Sequence, residues 1–196
     1  MKFKFETSKK EIIDILKAWI VVSISFAVIL GDRNILSYKF LANLLLAAVT
    51  VGVGFLFHEL SHKVLAQKYG AIAEFRSFDV MLVLALVMSF FLGMVFAAPG
   101  AVMIAGGNIN IKKYGKISAA GPIINLILAL MFFALSQLNF SSYFNLMGSY
   151  GFFVNSWLAL FNMIPFWEFD GRKIFMWSKT VWVIIVAIAS VFLFVF

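Results

Sequence analysis

The chain holds two histidines, His58 and His62, in the stretch FHELSHKVLA, with Glu59 between them. On an α-helix, positions i and i+4 share one face and stand a turn apart. Two neutral imidazoles at that spacing can ligate one Zn2+. Glu59, about 100° around the helix, can reach a water activated by the metal and act as general base. So short a pattern also arises by chance in soluble helices. The setting argues for a site here: seventeen uncharged positions, 41–57, lead into it, and ionisable groups inside a membrane span are costly and mark function. Because Lys63 follows at once, a pair snorkelling at the membrane edge is the competing reading.

A catalytic zinc usually takes three protein ligands and a water. The chain has no third histidine and no cysteine, so a carboxylate is the expected third donor among nine Asp and Glu. Glu6, Glu11, Asp14 and Asp32 belong to the N-terminal segment and first loop, and Glu74 and Asp79 to the loop after the second apolar segment. Glu168 and Asp170, in NMIPFWEFDG, end the fifth apolar segment. Asp170 is the better candidate, since Pro165 disrupts the helix before it and Gly171 permits a turn after it. An interfacial acid paired with Arg172 or Lys173 is the alternative. Asn162, about one turn before Pro165, could satisfy freed backbone groups, bind substrate, or only tie helices together.

The elements that must position these residues are written for lipid. Hydrophobic residues make up 63% of the 196 residues and charged residues 13%, far from the composition of soluble domains. Apolar segments at about 18–30, 41–66, 80–105, 118–138, 150–170 and 180–196 approach the roughly 20 residues a bilayer requires. The expected fold is an all-α polytopic membrane protein of about five to six transmembrane segments. A re-entrant or β-like membrane-associated element is expected around 80–107. The whole of 1–196 is expected to form one integral-membrane domain, with a core at about 41–175. The basic start and short apolar run resemble a signal peptide, but without a small-x-small cleavage site before GDRN an uncleaved span is expected. The net charge of +7 sits in short loops rather than a contiguous basic domain, which argues against nucleic acid as a partner.

Charge placement sets the topology. If 80–105 crosses once, the sixteen Lys and Arg split eight and eight between the two faces. If it enters and returns, only Arg33 and Lys39 lie outside and fourteen share the other face. The positive-inside rule favours re-entry and a cytoplasmic N-terminus in the cell membrane. Pro99-Gly100 and Gly106-Gly107 suit the non-helical backbone this needs. His58 then lies 19 residues after Lys39 and Asp170 lies 20 after Tyr150, both roughly 28–30 Å from the outer face. Gly121, Pro122 and Asn125 enter from the inner side, 5 to 9 residues past Lys116. Three polar clusters thus converge on one depth in the inner leaflet.

HELSH inside a span, AGPIIN opening a later one, and NMIPFWEFDG with Asp170 eight positions after Asn162 occur in that order. Together they resemble the site-2 protease family of intramembrane zinc metalloproteases. The resemblance implies Zn2+ held by His58, His62 and Asp170, with Glu59 as catalytic base. It also implies a substrate-contact or structural role for Asn162 and a packing role for Gly121, Pro122 and Asn125. The segment APGAVMI looks like the family's membrane-associated β element, whose edge near Ala98 to Ile104 could pair with an extended substrate. The implied activity is hydrolysis of peptide bonds within or near the transmembrane segment of a membrane-protein substrate that unwinds locally. The chain departs from the family in carrying Arg172 where a second glycine often follows Asp-Gly, in an apolar insertion at about 78–97, and in showing no PDZ or CBS domain. A small metal or proton transporter would also place His, Glu and Asp in spans, but no repeated half or second polar string is visible. An inactive scaffold of the same family is a further alternative, against which the intact donors argue.

Overall fold

The computed structural model describes residues 5–95, 99–138 and 140–195. Lys2, Lys4 and Ala98, which figured in the charge and edge-strand expectations, lie outside the described residues. The chain is mostly helical. In order it forms α1 (Lys9–Leu30), α2 (Phe40–Ala47), a π-helical turn (Ala48–Gly52), α3 (Val53–Lys68), β1 (Ile72–Ser77), α4 (Asp79–Phe91), β2 (Gly100–Ala105), α5 (Ile111–Gln137), α6 (Ser142–Asn162), α7 (Asp170–Trp177) and α8 (Lys179–Phe194).

Among the described residues, three helical stretches are long and apolar enough to cross a membrane: Lys9–Leu30, Phe40–Lys68 and Ile111–Gln137, of 22, 29 and 27 residues. The other apolar segments fall short for identifiable reasons. α4 has 13 residues and α8 has 16, roughly 20 and 24 Å of helix against a 30 Å hydrocarbon core. α6 is 21 residues long but carries Ser, Asn and Gly throughout.

The helices form two compact units. One gathers Glu6–Leu56 and Glu74–Met103. Here α1 presents a polar stripe at i, i+3 and i+6 to β1. Glu11 accepts the Phe75 N–H at 2.9 Å, and Asp14 accepts from the Ser77 hydroxyl at 3.2 Å. Lys17 pairs with Asp79 at 2.5 Å. At the far end of α1 the Arg33 guanidinium stands against Gly93, just past α4, so α4 runs alongside α1. The chain then returns: the Phe78 N–H donates to the Pro99 carbonyl at 3.1 Å. Gly100 lies against the Arg76 carbonyl so closely that a side chain would not fit. Ala18, Phe75 and Leu82 form the local core. In the π-helical turn the Ala48 carbonyl accepts from the Val53 N–H and also from the Trp19 indole at 3.2 Å.

The other unit contains Phe57–Ala73 and Ile104–Phe196. Its core draws Ala119 and Leu126 from α5, Ala159 from α6, Met163 just beyond it, Ile174 from α7, and Ile185 and Ala189 from α8. Small residues bring the helices close, as in other membrane bundles; Gly148 meets the backbone of Ser136, and Gly151 the ring of Phe132. One detail differs from expectation. The lysines 112, 113 and 116 lie in the first turns of α5 rather than in a loop, because Asn110 caps the helix early by accepting the Lys113 N–H at 2.9 Å. Gly107, with φ +71, packs against Ala71. Together with the contact of Gly100 with Arg76, this sets β1 and β2 antiparallel in their two-stranded sheet.

Candidate metal centre

His58 and His62 project from α3 with their rings edge to face, centroids 4.7 Å apart. Asp170 comes from the first residue of α7. Its Oδ2 lies 3.2 Å from His58 Nε2 and 3.1 Å from His62 Nε2. All three side chains are buried, and their donor atoms fall within 4.8 Å of one another.

The hydrogen bonds behind the rings decide what that cluster can hold. His62 Nδ1 lies 2.8 Å from the Ile117 carbonyl, which can only accept, so Nδ1 carries the ring proton. His58 Nδ1 lies 2.6 Å from Asn125 Oδ1, which likewise accepts. In its neutral form each ring so held turns an Nε2 lone pair toward the same carboxylate oxygen. Three acceptor atoms then converge, an arrangement relieved by a metal ion at the centre or by a proton shared with Asp170. Two imidazole nitrogens and one carboxylate oxygen are a zinc donor set.

Local sequence explains how each donor is held. The i, i+4 spacing stacks the histidines. α5 passes close beneath them because Gly121 has no side chain: a Cβ there would stand 2.6 Å from His58 Cε1, His58 Nε2 and His62 Cε1. Pro122, buried inside α5, has no N–H for the Ser118 carbonyl four residues back, next to the Ile117 carbonyl that serves His62. α6 stops at Asn162, and the Trp182 indole caps the Met163 carbonyl at 2.7 Å. The return to α7 passes through Trp167, whose φ of +55 is the left-handed residue of the turn. Gly171 was expected to permit a turn after Asp170. It lies instead within α7, where its missing side chain lets the helix start against the Met163 backbone.

The remaining site candidates separate. Arg172 donates to the Trp167 carbonyl at 3.2 Å and Lys173 to the Glu168 carbonyl at 3.4 Å, while Asp170 faces the histidines. Glu168 is exposed. Glu59 is half-buried on α3, about 60° around the helix from His62. Asn162 spends its amide N–H on the Leu158 carbonyl of its own helix, at 2.9 Å. Asn155 is a residue the sequence reading missed: fully buried, it accepts from Asn125 Nδ2 at 3.0 Å. Its only signal was an amide in an apolar helix, one heptad before Asn162.

A histidine pair on one helix, closed by a carboxylate from another, is a group that could hold a metal ion. The chain is 37% identical over 182 residues to a Methanocaldococcus jannaschii protein named "Putative zinc metalloprotease MJ0611", a match covering 92% of this chain and 91% of the relative. The chain belongs to that zinc metalloprotease family. Zn2+ is the metal the relationship implies, and His58, His62 and Asp170 are a group that could hold it. No protein-family model and no solved structure matches the chain.

Proposed function

We propose that this protein is an intramembrane metalloendopeptidase of the site-2 protease type, hydrolysing peptide bonds within or near the transmembrane segment of membrane-protein substrates. The observation that carries the reading is that both histidine donors belong to Phe40–Lys68, a helix long and apolar enough to cross a bilayer, and meet Asp170 there. A soluble protease has no need of such a helix.

His58, His62 and Asp170 would hold Zn2+, which when bound supplies a Lewis acid for the peptide carbonyl and a water acidic enough to react at neutral pH. Glu59 accepts the proton of the attacking water and returns it to the departing amine. Asn125 and the Ile117 carbonyl keep the imidazoles turned inward, and Gly121 and Pro122 shape the α5 surface on which they rest. Asn162, at the end of α6, takes a substrate-contact or structural role. A helical substrate keeps its carbonyls in internal hydrogen bonds, so it must unwind locally. Pairing of the unwound strand with the edge of β2 is part of the proposal.

The topology proposed is a multi-pass protein of the cell membrane with five to six membrane segments and a cytoplasmic N-terminus. Re-entry of 80–105 is supported by the hydrogen bond between Phe78 and Pro99, which brings the two ends of that segment together. The test is cleavage of a model membrane-spanning peptide by purified, zinc-loaded protein. Glu59→Gln keeps shape but cannot ionise; it should lose about 10²- to 10⁴-fold in rate while retaining zinc like the parent. Cleavage at the parental rate by Glu59→Gln refutes the mechanism.

A further inference from the structure

A file of buried amides ends on His58. Asn155 donates Nδ2–H to the Gly151 carbonyl, one turn back on α6, at 2.9 Å. Asn155 Oδ1 accepts from Asn125 Nδ2 at 3.0 Å, and Asn125 Oδ1 faces His58 Nδ1 at 2.6 Å. Asn125 and Asn155 are both fully buried.

The direction of this file is not arbitrary. A peptide carbonyl has no proton to give, so Asn155 must turn its NH2 toward Gly151 and its oxygen toward Asn125. Asn125 must answer with its own NH2, which leaves its oxygen for His58. In the neutral ring the His58 proton then sits on Nδ1, and Nε2 is left as a lone pair facing Asp170 Oδ2 at 3.2 Å. One backbone carbonyl of α6 thereby sets the tautomer of a ring on α3. His62 has a separate lock, the Ile117 carbonyl.

We propose that Asn155, acting through Asn125, is a positioning residue that holds the His58 imidazole in its Nδ1–H form and so readies Nε2 for the metal. Its consequence for zinc rests on the reading of His58 as a ligand; the tautomer itself does not. Amides that only glue helices have no reason to keep one polarity, whereas partners behind a metal-ligating histidine fix its tautomer and orientation.

The chain has two histidines, so imidazole-15N labelling of the full chain in detergent yields two rings to assign. The spectrum is recorded on metal-free protein, and the tautomer is read from the neutral form of each ring. Both rings are expected in the Nδ1–H form. Asn155→Leu should release His58 toward Nε2–H while His62 stays unchanged, and zinc affinity should fall about 10- to 100-fold. Ser156→Ala, in the same turn with its hydroxyl bonded to the Phe152 carbonyl at 2.7 Å, should alter neither ring. An Nε2–H form of His58 in the parent protein overturns the proposal, even if the leucine variant fails to fold. So does an unchanged His58 tautomer in folded Asn155→Leu. If the tautomer responds as expected but the parent takes up no zinc, the positioning role stands and the protease reading falls.

Discussion

Adding one methyl group at Gly121 is the sharpest perturbation of this centre. In an unconstrained helix interior, Gly→Ala stabilises by about 0.5–1 kcal/mol. Here the new Cβ would stand 2.6 Å from atoms of both imidazoles, about 1 Å inside the normal carbon contact distance. Neither ring can swing aside, because each is held from behind, His58 by Asn125 and His62 by the Ile117 carbonyl. Relief requires α5 to move away from α3 or one of those bonds to break. Overpacking of this kind costs about 1–3 kcal/mol, and about 1.4 kcal/mol is tenfold in affinity. Because the methyl meets His58 Nε2 itself, the loss falls on the metal. Gly121→Ala should weaken zinc binding by about 10- to 100-fold. The assay is competition for zinc against a chromophoric chelator, with thermal unfolding of the metal-free protein alongside to show that the variant is folded. A folded Gly121→Ala protein that binds zinc as tightly as the parent would refute the placement of both rings against α5.

Asp170→Ala should remove one of three donors and abolish tight zinc retention, whereas Glu168→Ala should retain zinc like the parent; equal retention by the two variants, measured by metal analysis, would exclude Asp170 as a ligand. Single cysteines at positions 112 and 173, introduced into a chain with no cysteine of its own, should both be labelled by impermeant reagent from the cytoplasmic side. Labelling of position 112 from outside would show that 80–105 crosses the membrane and that the meeting of Phe78 with Pro99 does not reflect the topology.

The sequence by itself determined what helical periodicity determines. His58, Glu59 and His62 are local: once residues 53–68 are helical, a spacing of four places both imidazoles on one face, whatever surrounds them. The apolar lengths of Lys9–Leu30, Phe40–Lys68 and Ile111–Gln137 are local too. The partner of the histidines was not. Asp170 is 112 residues from His58, and composition and spacing left Glu168 as a rival until the turn through Trp167 aimed one carboxylate inward and the other outward. Asn155 was illegible for the same reason: an amide in an apolar helix signals that a partner exists, but not which, and its polarity depends on a carbonyl that only the folded α6 presents. Gly171 looks like backbone freedom in one dimension and proves to be a vacancy in three, filled by the Met163 backbone, and what Gly121 packs against, the two imidazole rings, appears only in the fold. Periodicity acts over a few residues and is written in the chain. Convergence of a ligand set acts over distances that only packing closes, so only the tertiary structure could decide it.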